Sequence, residues 1–317
     1  MSNLVKGLLA LLVLLLLVAG GAYYWLILES GAAPATYALD MGEVRRLADS
    51  MPGARPVSIR AAHVAPFHYP GNAVVAGDGW APVAMEIFAY KVLFDDGSSA
   101  LIDTGLTQRG AALMQVTADD AAVQSVRGAI KFASLIVVTH EHGDHVGGLL
   151  GFVFLHAEME SGRVKLNAEQ VANLGRYNPG YHAEAFAGYK PLTYDKYVAV
   201  APGMVLIRAA GHTPGSQMVY VKTAKGEEYL FTGDVAWSMR NIELVRERAR
   251  LMTWWFLGED RDAVLSQLAA LNALHKAEPN LHIVPGHDLS VVTALETSGA
   301  LKKGFDDTAV DYMIPDR

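Results

Sequence analysis

The chain has 317 residues, of which 51% are hydrophobic, and a formal net charge of −7. This length suits one large domain, and the modest negative charge without a basic cluster argues against binding to a nucleic-acid backbone. The sequence has no cysteine, which excludes disulfides, thiolate metal ligands and a cysteine nucleophile. Any metal must therefore be bound by histidine and carboxylate side chains.

The first predicted element is a membrane-spanning helix. Residues 7–28 carry no charge, and about 20 apolar residues suffice to cross a bilayer core. Lys6 precedes this stretch, whereas Glu29 and Asp40 are the first charges after it, so the positive-inside tendency predicts that the bulk of the chain lies on the periplasmic or extracellular side. We favour an uncleaved signal-anchor at residues 1–28; a cleaved signal peptide, giving a secreted protein, is the alternative.

Residues 29–40 are small, polar and proline-containing, and are expected to form a tether to a single domain over residues 41–317. The first strand of this domain is expected near 57–65. The runs 85–94 and 99–103 flank Asp95-Asp96-Gly97, a turn signal that indicates a β-hairpin. A helix is expected over about 109–127, followed by a short buried strand at 135–139.

The remainder of the chain alternates strands and helices. The apolar runs predict strands near 164–166, 205–209, 218–221, 229–232 and 283–284, and helices near 168–175, 240–250 and 259–276. This order is typical of an α/β (α+β) fold in which helices cover sheets. The charged run 240–250 is expected to form a solvated helix face, and Trp254-Trp255 is expected to serve in packing.

The segment directly after the 135–139 strand, His140-Glu141-His142-Gly143-Asp144-His145, has the composition of a metal site. Three imidazoles and a carboxylate this close together would each need a partner if buried, and a metal ion supplies one. Histidine and aspartate suit zinc, whereas calcium and magnesium favour oxygen ligands alone. Glu141 should point away from the metals because successive residues of an extended loop alternate in direction.

Three further segments follow predicted strands and carry the same residue types. They are Gly211-His212-Thr213-Pro214-Gly215, Thr232-Gly233-Asp234 and Pro285-Gly286-His287-Asp288. An earlier Asp103-Thr104-Gly105 follows the strand Ala100-Leu101-Ile102. In their order and spacing these motifs resemble the metallo-β-lactamase superfamily over most of the chain after the anchor.

The resemblance implies a four-layer αββα sandwich and a role for each motif residue. The first metal would be bound by His140, His142 and His212. The second would be bound by Asp144, His145 and His287. Asp234 would bridge both metals, and Asp103 would support the site without binding a metal.

Seven ligands with open positions describe a catalytic pair of metals, because a structural zinc is closed by four ligands. We predict two divalent ions, with zinc favoured and iron or manganese left open. Such a pair activates water, so the predicted function is hydrolysis of an ester, lactone or amide bond in a small molecule by metal-activated hydroxide. Asp144 is the expected proton shuttle, which makes Asp144 and Asp234 the expected catalytic carboxylates.

The motif phrasing is most similar to that of acyl-homoserine lactonase-like hydrolases, with two departures. Trp237 stands where those lactonases carry a tyrosine that contacts the substrate, and Ser216 stands where a second histidine is common. Trp237, Tyr181 and His182 are the expected pocket residues. Two alternatives remain open, which are a mononuclear iron enzyme similar to persulfide dioxygenases and a metal-binding scaffold without activity. The oligomeric state and natural substrate are not predicted.

Overall fold

The computed structural model describes residues 2–152 and 155–305. Residues 306–317, which the sequence assigns to the catalytic domain, lie outside the described part. The α-helices are α1 Asn3–Tyr23, α2 Met41–Ala48, α3 Gly71–Val74, α4 Gln108–Met114, α5 Asp120–Phe132, α6 Gly143–Leu150, α7 Leu155–Glu160, α8 Ala168–Tyr177, α9 Met239–Leu244, α10 Arg261–Ala277 and α11 Leu289–Ser298. The strands are β1 Pro56–Pro70, β2 Pro82–Phe94, β3 Ser99–Ile102, β4 Leu135–Val137, β5 Val164–Lys165, β6 Tyr197–Ala201, β7 Met204–Arg208, β8 Gln217–Lys222, β9 Glu228–Gly233, β10 His282–Pro285 and β11 Lys302–Lys303.

The strands form two sheets that pack face to face. The order of the first sheet is β11-β1-β2-β3-β4-β5, and the order of the second is β10-β9-β8-β7-β6. Strand β8 shows how the sequence divides between layers. Its Val219 and Val221 face the core between the sheets, whereas Met218 and Tyr220 face the helices outside. This period of two is the signature of a strand with both faces buried.

Helices cover the outer face of each sheet. The core outside the first sheet includes Val126 and Ile130 of α5 and Val146 and Leu149 of α6. Outside the second sheet, α2 and α10 supply residues such as Val44 and Leu268. The molecule is therefore an αββα sandwich, which confirms the predicted fold.

The predicted hairpin is present, and most predicted strands appear within a few residues of their expected positions. The single helix expected over 109–127 is wrong, because the chain forms α4 and α5 with a break between them. Gln115 ends α4 in the left-handed conformation with φ 58°. The Asp119 side chain then accepts a hydrogen bond from Ala122 N and begins α5, as expected of an N-cap aspartate. Strands β6 and β11 and helices α2, α3, α6, α7 and α11 were not predicted.

The helix expected over 240–250 ends at Leu244, where Val245 adopts a left-handed conformation. The solvated face predicted for this run is also wrong, since Glu247 and Arg248 are each only 1% exposed. Both side chains form buried ion pairs. The packing role expected for Trp254-Trp255 is also wrong, because these side chains are not buried in the core but are 70% and 80% exposed.

The N-terminal helix stands apart from the sandwich over most of its length. Helix α1 and the following π-helical turn, Tyr24–Leu28, form one 26-residue segment that is long and apolar enough to cross a membrane, and its apolar window is entirely exposed. An N-terminal signal sequence has the same properties, so cleavage and the side of the membrane remain predictions. Residues 29–40 lie against the domain, where Ser30 Oγ donates to Glu247 and Tyr37 Oη donates to Arg208 O.

A half-buried histidine on β1 gives the fold a testable pH dependence. His63 Nε2 lies 2.9 Å from Oε1 of Glu296, and its Nδ1 lies 3.8 Å from Oε2 of Glu86. Burial opposes protonation, but the two carboxylates outweigh it and raise the pKa of His63 above its ordinary 6.5.

A pKa raised on folding stabilises the folded state below the unfolded-state value, and this stabilisation is lost as pH rises through the folded pKa. We therefore expect the advantage of the wild-type protein over His63→Gln, in free energy of unfolding, to be largest below pH 6.5 and to shrink above the raised pKa. Denaturant titrations of both proteins across this range measure the difference. A difference that grows with pH would contradict the assignment.

Candidate metal centre

The ends of several strands bring the motif residues to one edge of the sandwich. In the first sheet β3 and β4 are parallel, with Ile102 opposite Val137, so Asp103 and the segment after β4 leave at the same edge. In the second sheet β9 and β10 are parallel, with Pro285 opposite Gly233, so Asp234 and His287 also emerge together. The β7–β8 turn carries His212. Residues 70 and more apart in sequence therefore meet between the two sheets.

Four side chains form the first group of metal-binding atoms: His140, His142, His212 and Asp234. His142 Nδ1 lies 3.1 Å from Nε2 of His140 and 3.0 Å from Nε2 of His212. His212 Nε2 is also 3.3 Å from Oδ2 of Asp234. Each residue offers a nitrogen or oxygen to the same small volume, which is the arrangement expected around a metal ion.

Asp144, His145 and His287 form the second group. His287 Nε2 lies 3.5 Å from Oδ2 of Asp144 and 3.4 Å from Nε2 of His145. Asp234 contacts this group through its other oxygen, Oδ1, which is 3.3 Å from His145 Nε2 and 3.2 Å from His287 Nε2. One carboxylate thus faces both groups, the position that the family resemblance implies for a bridging ligand.

The opposite ring nitrogens of three of these histidines are held by hydrogen bonds to residues around the cluster. His145 Nδ1 donates to Asp103 Oδ2 at 2.8 Å, and His140 Nδ1 lies 3.1 Å from the Thr139 hydroxyl, which itself donates to Asp103. His287 Nδ1 donates to the Glu86 carbonyl at 2.9 Å. These bonds fix the ring orientation and direct each Nε2 toward the cluster. Asp103 therefore lies behind the candidate ligands, the position that the family resemblance implies for it.

His212 is oriented by a residue that the sequence analysis did not identify. Its Nδ1 donates to Oε2 of Glu259 at 2.9 Å, and Arg248 Nε donates to the same oxygen at 3.0 Å. Arg248 also donates to the Asp234 carbonyl at 2.9 Å. The side chains of Arg248 and Glu259 are 1% and 0% exposed. A buried ion pair therefore holds His212 and the backbone of Asp234 in a common position.

Trp237 forms one wall of the centre. Its indole Nε1 donates to Oδ2 of Asp234 at 2.7 Å, and its ring centroid lies 6.0 Å from that of His287. Tyr69 stacks on the indole at 5.6 Å. Trp237 thus contacts the cluster directly, with its polar atom facing the Asp234 carboxylate, while its predicted role in a substrate pocket stays a prediction.

The other two predicted pocket residues do not join the cluster. His182 is 72% exposed in its side chain and pairs with Glu184 Oε1 at 3.0 Å, while Tyr181 packs against Phe186. The loop between α8 and β6 directs them away from the metal-binding groups. Tyr177, at the end of α8, contacts a candidate ligand instead, with its ring centroid 4.5 Å from that of His142.

Glu141 points away from the cluster, as expected from the alternation of the loop. Its Oε2 accepts a hydrogen bond from Thr213 Oγ1 at 2.7 Å, and its Oε1 accepts one from Gly215 N at 3.1 Å. Burial raises the pKa of this carboxyl group. Glu141 therefore links the β4 loop to the β7–β8 turn.

The pKa values of the cluster histidines are shifted in two opposite directions. Burial, and then the neighbouring histidines, lower the pKa of His142 to about 3 and hold that of His140 well below its ordinary value, so both rings have a lone pair at neutral pH. Burial also opposes protonation of His145 and His287, but Asp234 and Asp144 outweigh it and raise both pKa values. A metal ion must displace those protons, so metal affinity decreases as the pH is lowered.

Asp234 gives a direct test of whether a metal pair fits. Its Oδ1 is buried and makes no hydrogen bond of normal geometry with the described residues. The adjacent Gly286 leaves room for this oxygen, because a Cβ at that position would collide with it. A buried carboxylate oxygen is costly without a partner, and two groups of imidazole nitrogens converge beside it. The donor set therefore fits two divalent cations with nitrogen and oxygen preferences.

The comparisons with known proteins agree with the fold and the motifs. Residues 87–287, a range that includes every candidate ligand, match the metallo-beta-lactamase superfamily. The protein belongs to this superfamily.

Two curated relatives show the range of proteins that the chain resembles. An N-acyl homoserine lactonase of Bacillus sp is 26% identical over 162 residues, which are 49% of this chain and 55% of that protein. A probable metallo-hydrolase of Mycobacterium tuberculosis is 26% identical over 177 residues, which are 48% and 54% of the two chains. The chain thus spans about half the length of the curated relatives it matches.

A solved structure extends the likeness over more of the chain. It is an N-acyl homoserine lactone hydrolase with N-hexanoyl-L-homoserine bound at its catalytic metal centre, with a TM-score of 0.55 and 17% identity. The match covers 77% of this chain and 97% of the other. At this identity the likeness establishes the fold.

Proposed function

We propose that the protein is a hydrolase that cleaves an ester, lactone or amide bond at a dinuclear metal centre. The position of Asp234 carries the proposal, because its two oxygens lie 3.2–3.3 Å from nitrogens of both ligand groups. Two bound divalent metals would polarise the substrate oxygen and lower the pKa of water toward neutrality. We favour zinc because histidine nitrogens dominate the donor set.

The roles of the ligands follow from their places in the cluster. His140, His142 and His212 would hold one metal, and Asp144, His145 and His287 would hold the other. Asp234 would bridge them, and the Asp103 and Glu259 carboxylates would keep His145 and His212 in orientation.

Asp144 is the group best placed to move a proton. Its side chain is 13% exposed, compared with 3% for Asp234. It therefore borders the part of the centre that a substrate can reach. A carboxylate there can accept a proton from water and return it to the leaving group.

A cavity beside the centre gives the substrate a place. Its volume is about 880 Å³, and it reaches His287 between the start of β2, the cap of α9 and helix α11. The wall combines apolar side chains such as Val83 and Met85 with the hydroxyl groups of Ser238 and Thr293. Such a size and mixture suit a small molecule with a carbonyl group and an apolar tail. The names of the relatives make lactones the first compounds to test.

Acyl-homoserine lactonase-like hydrolases carry a substrate-contacting tyrosine at the position of Trp237. In this protein Tyr177 is the candidate for contacting the substrate carbonyl. Its hydroxyl is buried and makes no hydrogen bond with the described residues, yet its ring contacts His142. We expect Tyr177→Phe to lower kcat/KM by about tenfold to a hundredfold, the value of one hydrogen bond to a developing charge, with unchanged metal content. If the hydroxyl serves only packing, steady-state kinetics will show an unchanged kcat/KM.

A substrate panel tests the proposed function. The full chain and His142→Ala should be compared on acyl-homoserine lactones, aryl esters, amides, β-lactams and phosphodiesters, with metal measured on the same samples. We expect turnover of a lactone, ester or amide by the wild-type protein only. Metal binding without turnover of any compound would favour a scaffold, and a single iron with oxygen consumption on a persulfide would favour a dioxygenase.

The N-terminal segment completes the proposal. We infer that α1 is an uncleaved anchor that holds the domain at the non-cytoplasmic face of a membrane. The absence of charge over residues 7–28 and the position of Lys6 before them support this orientation.

A further inference from the structure

Three consecutive aromatic side chains project from the domain into solvent. Trp254, Trp255 and Phe256 are 70%, 80% and 76% exposed. They lie on the π-helical turn Met252–Leu257. Leaving a large apolar side chain in water is unfavourable relative to burying it. A contiguous group of three is therefore a mark of an interaction surface.

The turn is fixed from its inner side. Thr253 is fully buried, and Met252 and Leu257 pack against the cluster of Val74, Val75, Met85 and Trp237. Glu259 N donates to Thr253 O at 3.1 Å and so closes the turn. Glu259 is also the residue that orients His212. Because the inner residues are anchored, the outward position of the three aromatic side chains is a defined feature of the fold.

The same surface is continuous with the end of the N-terminal helix. Trp25 packs edge-on against Trp254 with ring centroids 5.5 Å apart, and the Arg250 guanidinium lies 4.7 Å from the centroid of the Trp25 ring. Arg250 also pairs with Glu29. We use the term aromatic patch for Trp25, Trp254, Trp255 and Phe256. The patch thus combines a residue of the membrane segment with residues of the domain.

A second aromatic contact lies at the same end of the helix. Trp80, which is 62% exposed, stacks on Tyr23 at 6.4 Å, and its Nε1 donates to the Tyr23 hydroxyl at 3.0 Å. Helix α1 has 21 residues, which gives a length of about 31 Å against a hydrocarbon core of about 30 Å. Its last residues therefore lie at the level of the lipid headgroups, where tryptophan and tyrosine are enriched.

From this continuity we propose that the aromatic patch is a lipid-contacting surface, which inserts Trp254, Trp255 and Phe256 into the interfacial region of the bilayer that α1 crosses. The domain then lies on the membrane, held at two places, and is not suspended from residues 29–40. The inference rests on insertion of α1, but its test does not depend on hydrolysis.

The absence of cysteine makes a site-specific test simple. Trp255→Cys, labelled with the polarity-sensitive fluorophore NBD, reports on the patch in the full chain. Phe256→Cys is a second probe if the first variant folds poorly. Leu113→Cys on α4 is the matched control, because Leu113 is 71% exposed but has no place in the patch. All variants are placed in phosphatidylcholine nanodiscs, which leave both membrane faces open to solvent.

Two quenchers then separate the possible surroundings of the label. We expect a label at 255 or 256 to be quenched several-fold more strongly by nitroxide-bearing lipid than the label at 113, and several-fold less by iodide. Iodide quenching equal to that at 113 would overturn the proposal, since the patch would then be in water. Protection from both quenchers would also overturn it, since a second copy or another protein would then cover the patch.

Discussion

Replacing Asp234 by asparagine is expected to reduce bound metal from two ions to at most one and to lower kcat/KM on the order of a thousandfold. The substitution keeps the shape of the side chain but removes the charge that faces both ligand groups, at 3.2–3.3 Å from His287, His145 and His212. It also weakens the hydrogen bond that the Trp237 indole donates to Asp234, because the amide oxygen of asparagine is an uncharged acceptor. Elemental analysis and steady-state kinetics on the same preparation measure both effects.

Glu141→Gln is the matched control for this experiment. Glu141 lies in the neighbouring segment 140–145 and is as buried as Asp234, but its carboxylate accepts hydrogen bonds from Thr213 and Gly215. We expect this variant to keep two metals and to stay within a few-fold of wild-type activity, because glutamine retains one acceptor. Full metal content and full activity in Asp234→Asn would exclude Asp234 as the bridging ligand.

Glu259→Gln is expected to lower the free energy of unfolding of the metal-free protein by about 3 kcal/mol, because it leaves the buried Arg248 guanidinium without a counter-charge. The Glu259 pKa agrees with this pairing: burial raises it, but Arg248 and then His212 outweigh burial and lower it below its ordinary value. The variant should also weaken binding of the first metal by roughly tenfold to a hundredfold, since His212 loses its orienting carboxylate.

Glu247→Gln separates these two effects. Glu247 is also a buried glutamate paired with an arginine, Arg261, and it accepts hydrogen bonds from Ser30 and Gly31 rather than from a candidate ligand. We expect this control to lose stability while retaining metal affinity. Denaturant unfolding of the metal-free proteins and metal titration of the folded proteins provide the two readings. Equal metal affinities for Glu259→Gln and the wild-type protein would contradict the orienting role of Glu259.

The candidate ligands were identifiable in the sequence because their motifs lie in short loops that directly follow apolar runs. His140 follows the run 135–139, and Asp234 follows the run 229–232. Both runs form strands whose carboxyl ends meet at one edge of the sandwich. Local patterns therefore predicted the fold class and the placement of the motif residues together.

The two residues that orient His212, Glu259 and Arg248, carried no such local signal. Glu259 directly precedes Asp260, the N-cap of α10, and an acidic residue there is expected from helix capping alone. Arg248 lies in an alternating run of charges, a pattern typical of a solvated helix. The partnership of these two side chains with His212 arises from the packing of α10 and residues 245–251 against the second sheet.

The aromatic patch shows the same limit. In the sequence, Trp254-Trp255 resembles a packing pair because large aromatic residues usually contribute to a core. Met252, Thr253 and Leu257 face inward on either side of the aromatic residues. The side chains between Thr253 and Leu257 are therefore turned to the outside. The local pattern predicts neither the exposure of Trp254 nor its contact with Trp25, which lies 229 residues earlier in the sequence.

Zinc titration of the metal-free full chain, with activity measured at each step, tests the central claim most directly. The substrate is whichever lactone, ester or amide the panel identifies. A dinuclear hydrolytic centre predicts that activity rises with bound zinc until two equivalents are bound per chain, and that Asp234→Asn fails to follow this course. Full activity at one equivalent, or activity that requires a single iron and consumes oxygen, would contradict it.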